Sequence, residues 1–176
     1  MTDKPTRSTL PFAIMQNHPF SNDSLIDHMD ALFMRSRAKD NHWLNVTQVG
    51  YGEKYADKGR SEIPAGPLAD LRLWVIGNIW DITGHKPNTA YVQCGGPVKP
   101  HRDPVSDKYF TSIAYFGDFT GGELIVQHGR VDHVIAVKPG MVVVLPCTLR
   151  GLQGPLHWTR PHKGHRCSFI LNHTEA

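Results

Sequence analysis

The chain has 176 residues, a hydrophobic content of 40% and a formal net charge of +3 at pH 7. This composition is typical of one soluble globular domain, and no apolar run approaches the roughly 20 residues of a membrane-spanning helix. The three cysteines lie far apart, so neither a disulfide framework nor a Cys-x-x-Cys zinc site is expected. The polar N-terminus lacks an apolar signal core, which favours an intracellular protein, cytoplasmic or nuclear.

The first half of the chain predicts two helices that support a later core. Residues 1–20 contain three prolines and predict an irregular arm. Apolar stripes at helical spacing predict helices over about 23–39 and about 67–82. Between the helices, residues 45–65 predict a short strand and then a loop rich in glycine and charge. Such a loop either covers a site as a lid or is a surface excursion.

The second half consists of short β-type segments between glycine-containing turns. The predicted strands span residues 89–93, 109–116, 123–127, 131–137, 141–145, 156–159 and 167–172. Many short strands of similar spacing indicate a sandwich or a jelly roll. We therefore predict an α+β, mainly β protein with one domain over 1–176. Residues 1–87 give helical support and the lid loop, and residues 88–174 form the jelly-roll core.

Polar residues at the predicted strand ends suit a metal centre. Residues i and i+2 of a strand point to one face, so His101 and Asp103 can bind one ion together. His157, at a predicted strand start, is favoured as the third ligand. The competing His162 falls in a predicted turn, and alternation places His165 on the other strand face. Two imidazoles and one carboxylate leave metal positions open, as in non-haem Fe(II) oxygenases.

An arginine near the end of the chain suits an anionic cosubstrate. Arg166 lies nine residues beyond His157, and Ser168 shares its strand face. An arginine can hold a carboxylate through two parallel hydrogen bonds, to which a hydroxyl adds a third. A lone arginine more often forms a structural salt bridge, but the spacing from His157 favours the ligand role. The combination predicts an oxygenase that depends on Fe(II) and 2-oxoglutarate.

The order and spacing of these residues, over about 88–172, resemble the Fe(II)/2-oxoglutarate dioxygenase superfamily. Members of that family have a double-stranded β-helix core, a His-x-Asp motif, a distal histidine and an arginine further along. The resemblance implies Fe(II) bound by His101, Asp103 and His157. It also implies 2-oxoglutarate held by Arg166 and Ser168, with O2 as the cosubstrate and a hydroxylated C–H bond as the outcome.

Two finer resemblances concern the cosubstrate and the substrate. Asn88 and Tyr91 resemble the Asn/Tyr strand that precedes His-x-Asp in the family, which implies contacts with the cosubstrate. Residues 116–124, with 138–140 and 149–151, resemble the Tet/J-binding-protein branch. That branch includes oxidases of 5-methylpyrimidines in nucleic acid.

The substrate has several candidates. Nucleic acid is favoured by nine Lys/Arg against six Asp/Glu in residues 99–176, and is opposed by the modest net charge and the lack of an arginine-rich arm. A small metabolite or a peptide side chain is the alternative. A non-catalytic jelly-roll or cupin binding protein is a further class, and loss of a ligand residue would be its signature. A cupin-type metalloenzyme independent of 2-oxoglutarate is another, and it would not need Arg166. Aromatic candidates for the substrate pocket are Trp43, Tyr51, Tyr55, Tyr109 and Trp158.

Overall fold

The computed structural model describes residues 12–15, 18–36, 43–47, 61–62, 65–83, 86–103, 110–146, 148–149 and 152–174. The helices within these ranges are α1 (Asn22–Ser36) and α2 (Pro67–Thr83). The strands are β1 (Ala13–Met15), β2 (Trp43–Thr47), β3 (Ser61–Glu62), β4 (Lys86–Cys94), β5 (Phe110–Gly121), β6 (Leu124–His128), β7 (Val131–Ile135), β8 (Val142–Pro146), β9 (Thr148–Leu149), β10 (Leu152–Gln153), β11 (Leu156–Thr159) and β12 (His162–Thr174). Neither described helix is long and apolar enough to cross a membrane.

A large sheet forms the frame, with strand order β1-β8-β5-β12-β4-β2-β3. Its neighbours are antiparallel except for the short β2–β3 pair, which is parallel. The two long strands β5 and β12 lie at its centre and stay in register from the His162–Gly121 pair to the His173–Phe110 pair. Such a long continuous ladder fixes which side chains face inward, because a slip of one residue would turn every side chain over.

A smaller sheet, β11-β6-β7, contains His157 on its strand β11. The segment before Asp103 extends this sheet, because the backbones of His101 and His157 exchange two hydrogen bonds of 3.1 and 2.9 Å. A third bond joins Thr159 N to Val98 O at 3.1 Å. Two segments that are distant in the sequence are therefore neighbours in one sheet.

Both helices pack on the outer face of the large sheet. Their buried residues, Leu25 and Met29 of α1 and Leu68, Leu71 and Val75 of α2, share a core cluster with outward-facing residues of β4, β5, β8 and β12. At the start of α1, the Asn22 side chain both donates to Gly117 O (3.1 Å) and accepts from Gly117 N (2.6 Å). The helical stripes seen in the sequence are thus packing faces, and they leave the inner face of the sheet for a site.

A second core cluster contains residues of both sheets. It contains Phe12, Ile113, Tyr115, Phe119, Leu124, Val126, Ile135, Val137, Val143 and Leu145. Alternation along β5 explains the division, because Ile113 and Tyr115 face this cluster while Ala114 and Phe116 face the helices.

Two local predictions from the sequence were wrong. Residues 13–15 of the supposed irregular arm form β1, which pairs with β8. The turn predicted around His162 is the start of β12, in which Gly164 has φ +86°. A side chain at Gly164 would collide with the Asp118 carbonyl on β5. This glycine therefore permits a close approach of two backbones, which sequence alone does not distinguish from a turn. Within residues 45–65, the described positions are 45–47, 61–62 and 65, so the lid prediction concerns mainly residues outside the described part.

Candidate metal centre and anion pocket

The structure brings together the three residues of the predicted metal triad. Ligand atoms of His101, Asp103 and His157 all lie within 4.8 Å of one another. The Nε2 atom of His101 is 3.7 Å from Asp103 Oδ1, and the two imidazole rings have centroids 4.3 Å apart. The backbone pairing of His101 with His157 produces this arrangement, because it sets the two side chains next to each other across the small sheet.

The hydrogen bonds of both histidines select the nitrogen that faces the site. Nδ1 of His101 lies 2.9 Å from Lys99 O, and Nδ1 of His157 lies 3.1 Å from Pro155 O. A carbonyl oxygen can only accept, so each Nδ1 carries the proton and each Nε2 carries the lone pair. Backbone carbonyls often orient metal-binding histidines in this way. The donor set of two Nε2 atoms and one carboxylate therefore fits Fe(II).

The burial of His157 also suits a metal ligand. Burial lowers the pKa of His157 below its ordinary value, while the Asp103 carboxylate acts in the opposite direction. A neutral imidazole is the form that binds metal.

A hydroxyl group contacts the Asp103 carboxylate on the side away from His101. Thr111 Oγ1 is 3.1 Å from Asp103 Oδ2 and 3.0 Å from Asn172 Oδ1. The hydroxyl has one proton, and the charged carboxylate is the stronger acceptor.

A cavity of about 340 Å³ adjoins the triad, at the low end of the roughly 300–1,000 Å³ of ligand pockets. The large sheet contributes polar side chains to the cavity wall. The small sheet contributes residues that lie beside His101 and His157. The lining residues outside the triad are Gln93, Val98, Thr111, Ile113, Tyr115, Leu124, Trp158, Thr159, Arg166, Ser168, Ile170 and Asn172. Trp158 is therefore the one aromatic candidate from the sequence that the described structure places at the cavity.

Arg166 is buried in the wall of this cavity. Its side chain is 3% exposed, and its Nε atom has no hydrogen-bond partner within the described residues. Its guanidinium carbon lies 5.0 Å from the centre of the Tyr115 ring. A desolvated cation without an acidic partner is costly, so this position calls for an anion. Ser168, also 3% exposed, lies two residues along the same strand and lines the same cavity.

Gly122 leaves the space that the Arg166 side chain occupies. Its φ is +73°, and a Cβ there would lie 3.1 Å from Arg166 Cδ and 3.0 Å from His162 Cβ. The Gly-Gly pair at 121–122 thus leaves room for the arginine stem as well as forming a turn. Tyr115 completes the pocket as a neutral phenol, because burial raises its pKa to about 12 although the Arg166 charge opposes that shift.

Five polar lining residues were missed from the sequence: Gln93, Thr111, Tyr115, Thr159 and Asn172. Strand alternation was the available signal. Counting two by two from Arg166 and Ser168 reaches Ile170 and then Asn172, which is in register with Thr111. Continuing along β5 from Thr111 leads to Tyr115, which is opposite Ser168.

For the remaining predicted residues, the structure describes at most the backbone. Asn88 is the extra residue of a bulge in β4, opposite the step from Asn172 to His173, and Tyr91 pairs with Ile170. The side chains of Asn88 and Tyr91 lie outside the described part of the structure, as does the Trp43 side chain. Tyr51, Tyr55 and Tyr109 are likewise outside it.

Three solved structures share this architecture. A 2OG-Fe(II) oxygenase family oxidoreductase from Burkholderia pseudomallei is 18% identical, with a TM-score of 0.58 over 93% of this chain and 84% of that chain. A prolyl hydroxylase from Trichoplax adhaerens, solved with a hypoxia inducible factor peptide fragment, is 14% identical, with a TM-score of 0.67 over 94% and 84%. A Pseudomonas putida prolyl-4-hydroxylase is 13% identical, with a TM-score of 0.61 over 95% and 94%. No protein-family model and no curated protein matches the sequence.

The chain has the fold of the 2-oxoglutarate oxygenases. The predicted fold class, a double-stranded β-helix core with supporting N-terminal helices, is therefore confirmed. In this oxygenase fold, the triad and the buried arginine line one cavity although they come from different sheets.

Proposed function

We propose that this protein is a dioxygenase that depends on Fe(II) and 2-oxoglutarate and hydroxylates an unactivated C–H bond. One observation carries the proposal: a cavity with a two-histidine, one-carboxylate cluster and a buried arginine without an acidic partner among the described residues. The cluster suits a metal with open positions, and the arginine suits a carboxylate. 2-Oxoglutarate requires both, since it has a keto acid at one end and a carboxylate at the other.

Each residue has a distinct task in this proposal. His101, Asp103 and His157 would hold Fe(II), with the histidine tautomers set by Lys99 O and Pro155 O. When bound, Fe(II) and 2-oxoglutarate supply the oxidising chemistry that uses O2 and yields succinate and CO2. The protein residues bind, orient and exclude water.

Residues of the large sheet would bind the distal carboxylate of 2-oxoglutarate. Arg166 would form charge-assisted hydrogen bonds with the distal carboxylate, and Ser168 would add a hydroxyl donor. The Tyr115 ring stacks against the guanidinium and limits its motion. Ile113 and Leu124 give this part of the cavity an apolar wall, which strengthens electrostatic contacts by keeping water out.

For the substrate, we propose a peptide side chain in preference to nucleic acid. Two of the structures compared above are prolyl hydroxylases, and one of them was solved with a peptide. Of the basic residues counted in favour of nucleic acid, Arg102 donates within the protein, to Gly154 O at 2.5 Å. The 5-methylpyrimidine substrate and the small metabolite stay predictions from the sequence, and both belong in the same substrate screen.

The first test is the visible spectrum of the protein with Fe(II) and 2-oxoglutarate under anaerobic conditions. Chelation of 2-oxoglutarate on Fe(II) gives a weak metal-to-ligand charge-transfer band, and no substrate is needed. We expect the band in the native protein, its loss in His157→Ala and its weakening in Arg166→Ala. Arg160→Ala is the matched control, because Arg160 is an exposed arginine.

The substrate is then tested by succinate formation under air. We expect proline-containing peptides to stimulate it more than methylated DNA oligonucleotides or small metabolites. Stimulation by methylated DNA alone would overturn the peptide proposal but leave the oxygenase proposal intact. A folded protein without a charge-transfer band would overturn the oxygenase proposal and favour a binding protein. A band of unchanged strength in Arg166→Ala would show that the arginine does not hold 2-oxoglutarate. Absence of both the band and succinate formation in a protein that still binds metal would favour a cupin-type site.

A further inference from the structure

A second cluster of metal-binding side chains lies on the other face of the large sheet. Cys94 of β4 and Cys167 of β12 are directly opposite each other in the ladder, and their Sγ atoms are 2.7 Å apart. Nε2 of His165 lies 3.5 Å from Cys167 Sγ, and Sδ of Met29 lies 2.7 Å from Cys94 Sγ. Among the described residues, Cys94, His165 and Cys167 form the second of two groups with ligand atoms within 4.8 Å of each other.

This cluster is distinct from the triad, because strand alternation separates them. His165 and Cys167 point to the helix-covered face of β12, while Arg166 and Ser168 line the cavity on the opposite face. Cys167 is fully buried beneath the helices, whereas His165 is exposed. An ion could therefore reach the cluster from solvent at His165 without passing through the cavity.

We propose that Cys94, Cys167 and His165 bind a soft d10 cation, Cu(I) or Zn(II), with the Met29 thioether as an additional ligand for Cu(I). Two thiolates and an imidazole are donors that Zn(II) and Cu(I) prefer, and a thioether favours Cu(I) over Zn(II). The group contains no carboxylate or carbonyl ligand that would suit a hard cation. Binding requires both thiols to lose their protons to solvent, so two protons are released per ion.

A simple redox pair is the competing explanation for two adjacent thiols. A disulfide would need neither the imidazole nor the thioether, yet both converge on the sulfur atoms. The convergence of two thiols, an imidazole and a thioether, all of them donors that Cu(I) accepts, therefore favours a metal ion over a disulfide.

The test uses the full-length, reduced protein under anaerobic conditions. An Asp103→Ala/His157→Ala background removes two of the three triad ligands, so that ions at the second cluster are counted alone. Cu(I) and Zn(II) are titrated separately against a chromophoric chelator, and proton release is measured in weakly buffered solution. We expect one ion per chain and two protons per ion.

Variants then identify the ligands. Cys167→Ala is expected to abolish binding. His165→Ala, at an exposed position that does not endanger folding, is expected to weaken binding at least about tenfold. Met29→Leu should weaken Cu(I) binding and leave Zn(II) binding unchanged. Cys147→Ser is the matched control, as it removes the third thiol of the chain and should change nothing.

Three outcomes would overturn the proposal. In the first, the folded Asp103→Ala/His157→Ala protein binds neither ion. In the second, binding persists in Cys167→Ala and in His165→Ala. In the third, the two thiols oxidise to a disulfide and, after reduction, still bind no ion. None of these depends on oxygenase activity, so failure here leaves the proposed function untouched.

Discussion

Replacement of Arg166 by methionine separates a ligand-binding arginine from a structural one. Methionine keeps an unbranched apolar stem of similar length but removes the charge. Nε of Arg166 has no partner among the described residues, so the described side-chain contacts that the substitution removes are the hydrogen bond and the ring contact with Tyr115. We expect the ligand-free protein to remain folded and its affinity for 2-oxoglutarate to collapse.

The expected magnitudes differ enough to be measured. The variant loses the contact with the Tyr115 ring, about 1–2 kcal/mol, and the hydrogen bond with Tyr115, about 0.5–1.5 kcal/mol. It also relieves a desolvated cation, about 1–3 kcal/mol, so the losses and the gain largely offset. Two charge-assisted hydrogen bonds to a carboxylate contribute about 3–6 kcal/mol. At about 1.4 kcal/mol per factor of ten, 2-oxoglutarate binding should weaken roughly 10²- to 10⁴-fold.

The assay compares thermal unfolding of the native protein, Arg166→Met and the exposed control Arg160→Met, each with and without Fe(II) and 2-oxoglutarate under argon. In Arg166→Met we expect a nearly unchanged midpoint without ligand and no further rise with 2-oxoglutarate. The control should behave like the native protein in both conditions. A large loss of stability without ligand, with 2-oxoglutarate affinity preserved, would show that the arginine is structural and refute the reasoning.

Three further predictions concern the supporting residues. Gly122→Ala should lower the free energy of unfolding by roughly 1–3 kcal/mol and weaken 2-oxoglutarate binding, because the new methyl meets the Arg166 side chain. Gly129→Ala, also at positive φ but in open space, is the control and should lower only the stability. Equal losses of 2-oxoglutarate affinity in the two variants would contradict this. Thr111→Val should lower Fe(II) affinity about 10- to 100-fold in an anaerobic titration, whereas Thr111→Ser should not. Burial lowers the pKa of His18 below its ordinary 6.5, so the unfolded state takes up a proton first and stability should fall below about pH 6.5, by at most about 1.4 kcal/mol per pH unit. A urea midpoint that falls equally steeply in His18→Gln would exclude this contribution.

Local periodicity predicted much of the fold. Both helices were predicted to within three residues at each end, since an apolar stripe of period 3.6 is a property of one segment. Alternation correctly placed Arg166 and Ser168 on one face of the last strand and His165 on the other. These successes concern residues that are close in the sequence.

Contacts between distant strands were harder to predict. The sequence indicated no sulfur metal site, because Cys94 and Cys167 are far apart in the chain, yet the β4–β12 register sets them side by side. A bulge at Asn88 shifts that register, and no residue pattern within β4 indicates it. The strand β1 was missed for a similar reason: its three residues are ordered by pairing with β8 and lack a periodic signal of their own.

The backbone pairing of His101 with His157 determines when a metal could be loaded. Bringing these distant ligands together costs chain entropy, and folding, not metal binding, offsets that cost. The protein would therefore finish folding before it acquires an ion, unlike a zinc finger, whose folding waits for its metal. A completed site of two imidazoles and a carboxylate also binds the later first-row divalent ions more tightly than Fe(II). Iron loading would then reflect which ions the cell keeps available, and the order of supply would decide how much of the protein is active.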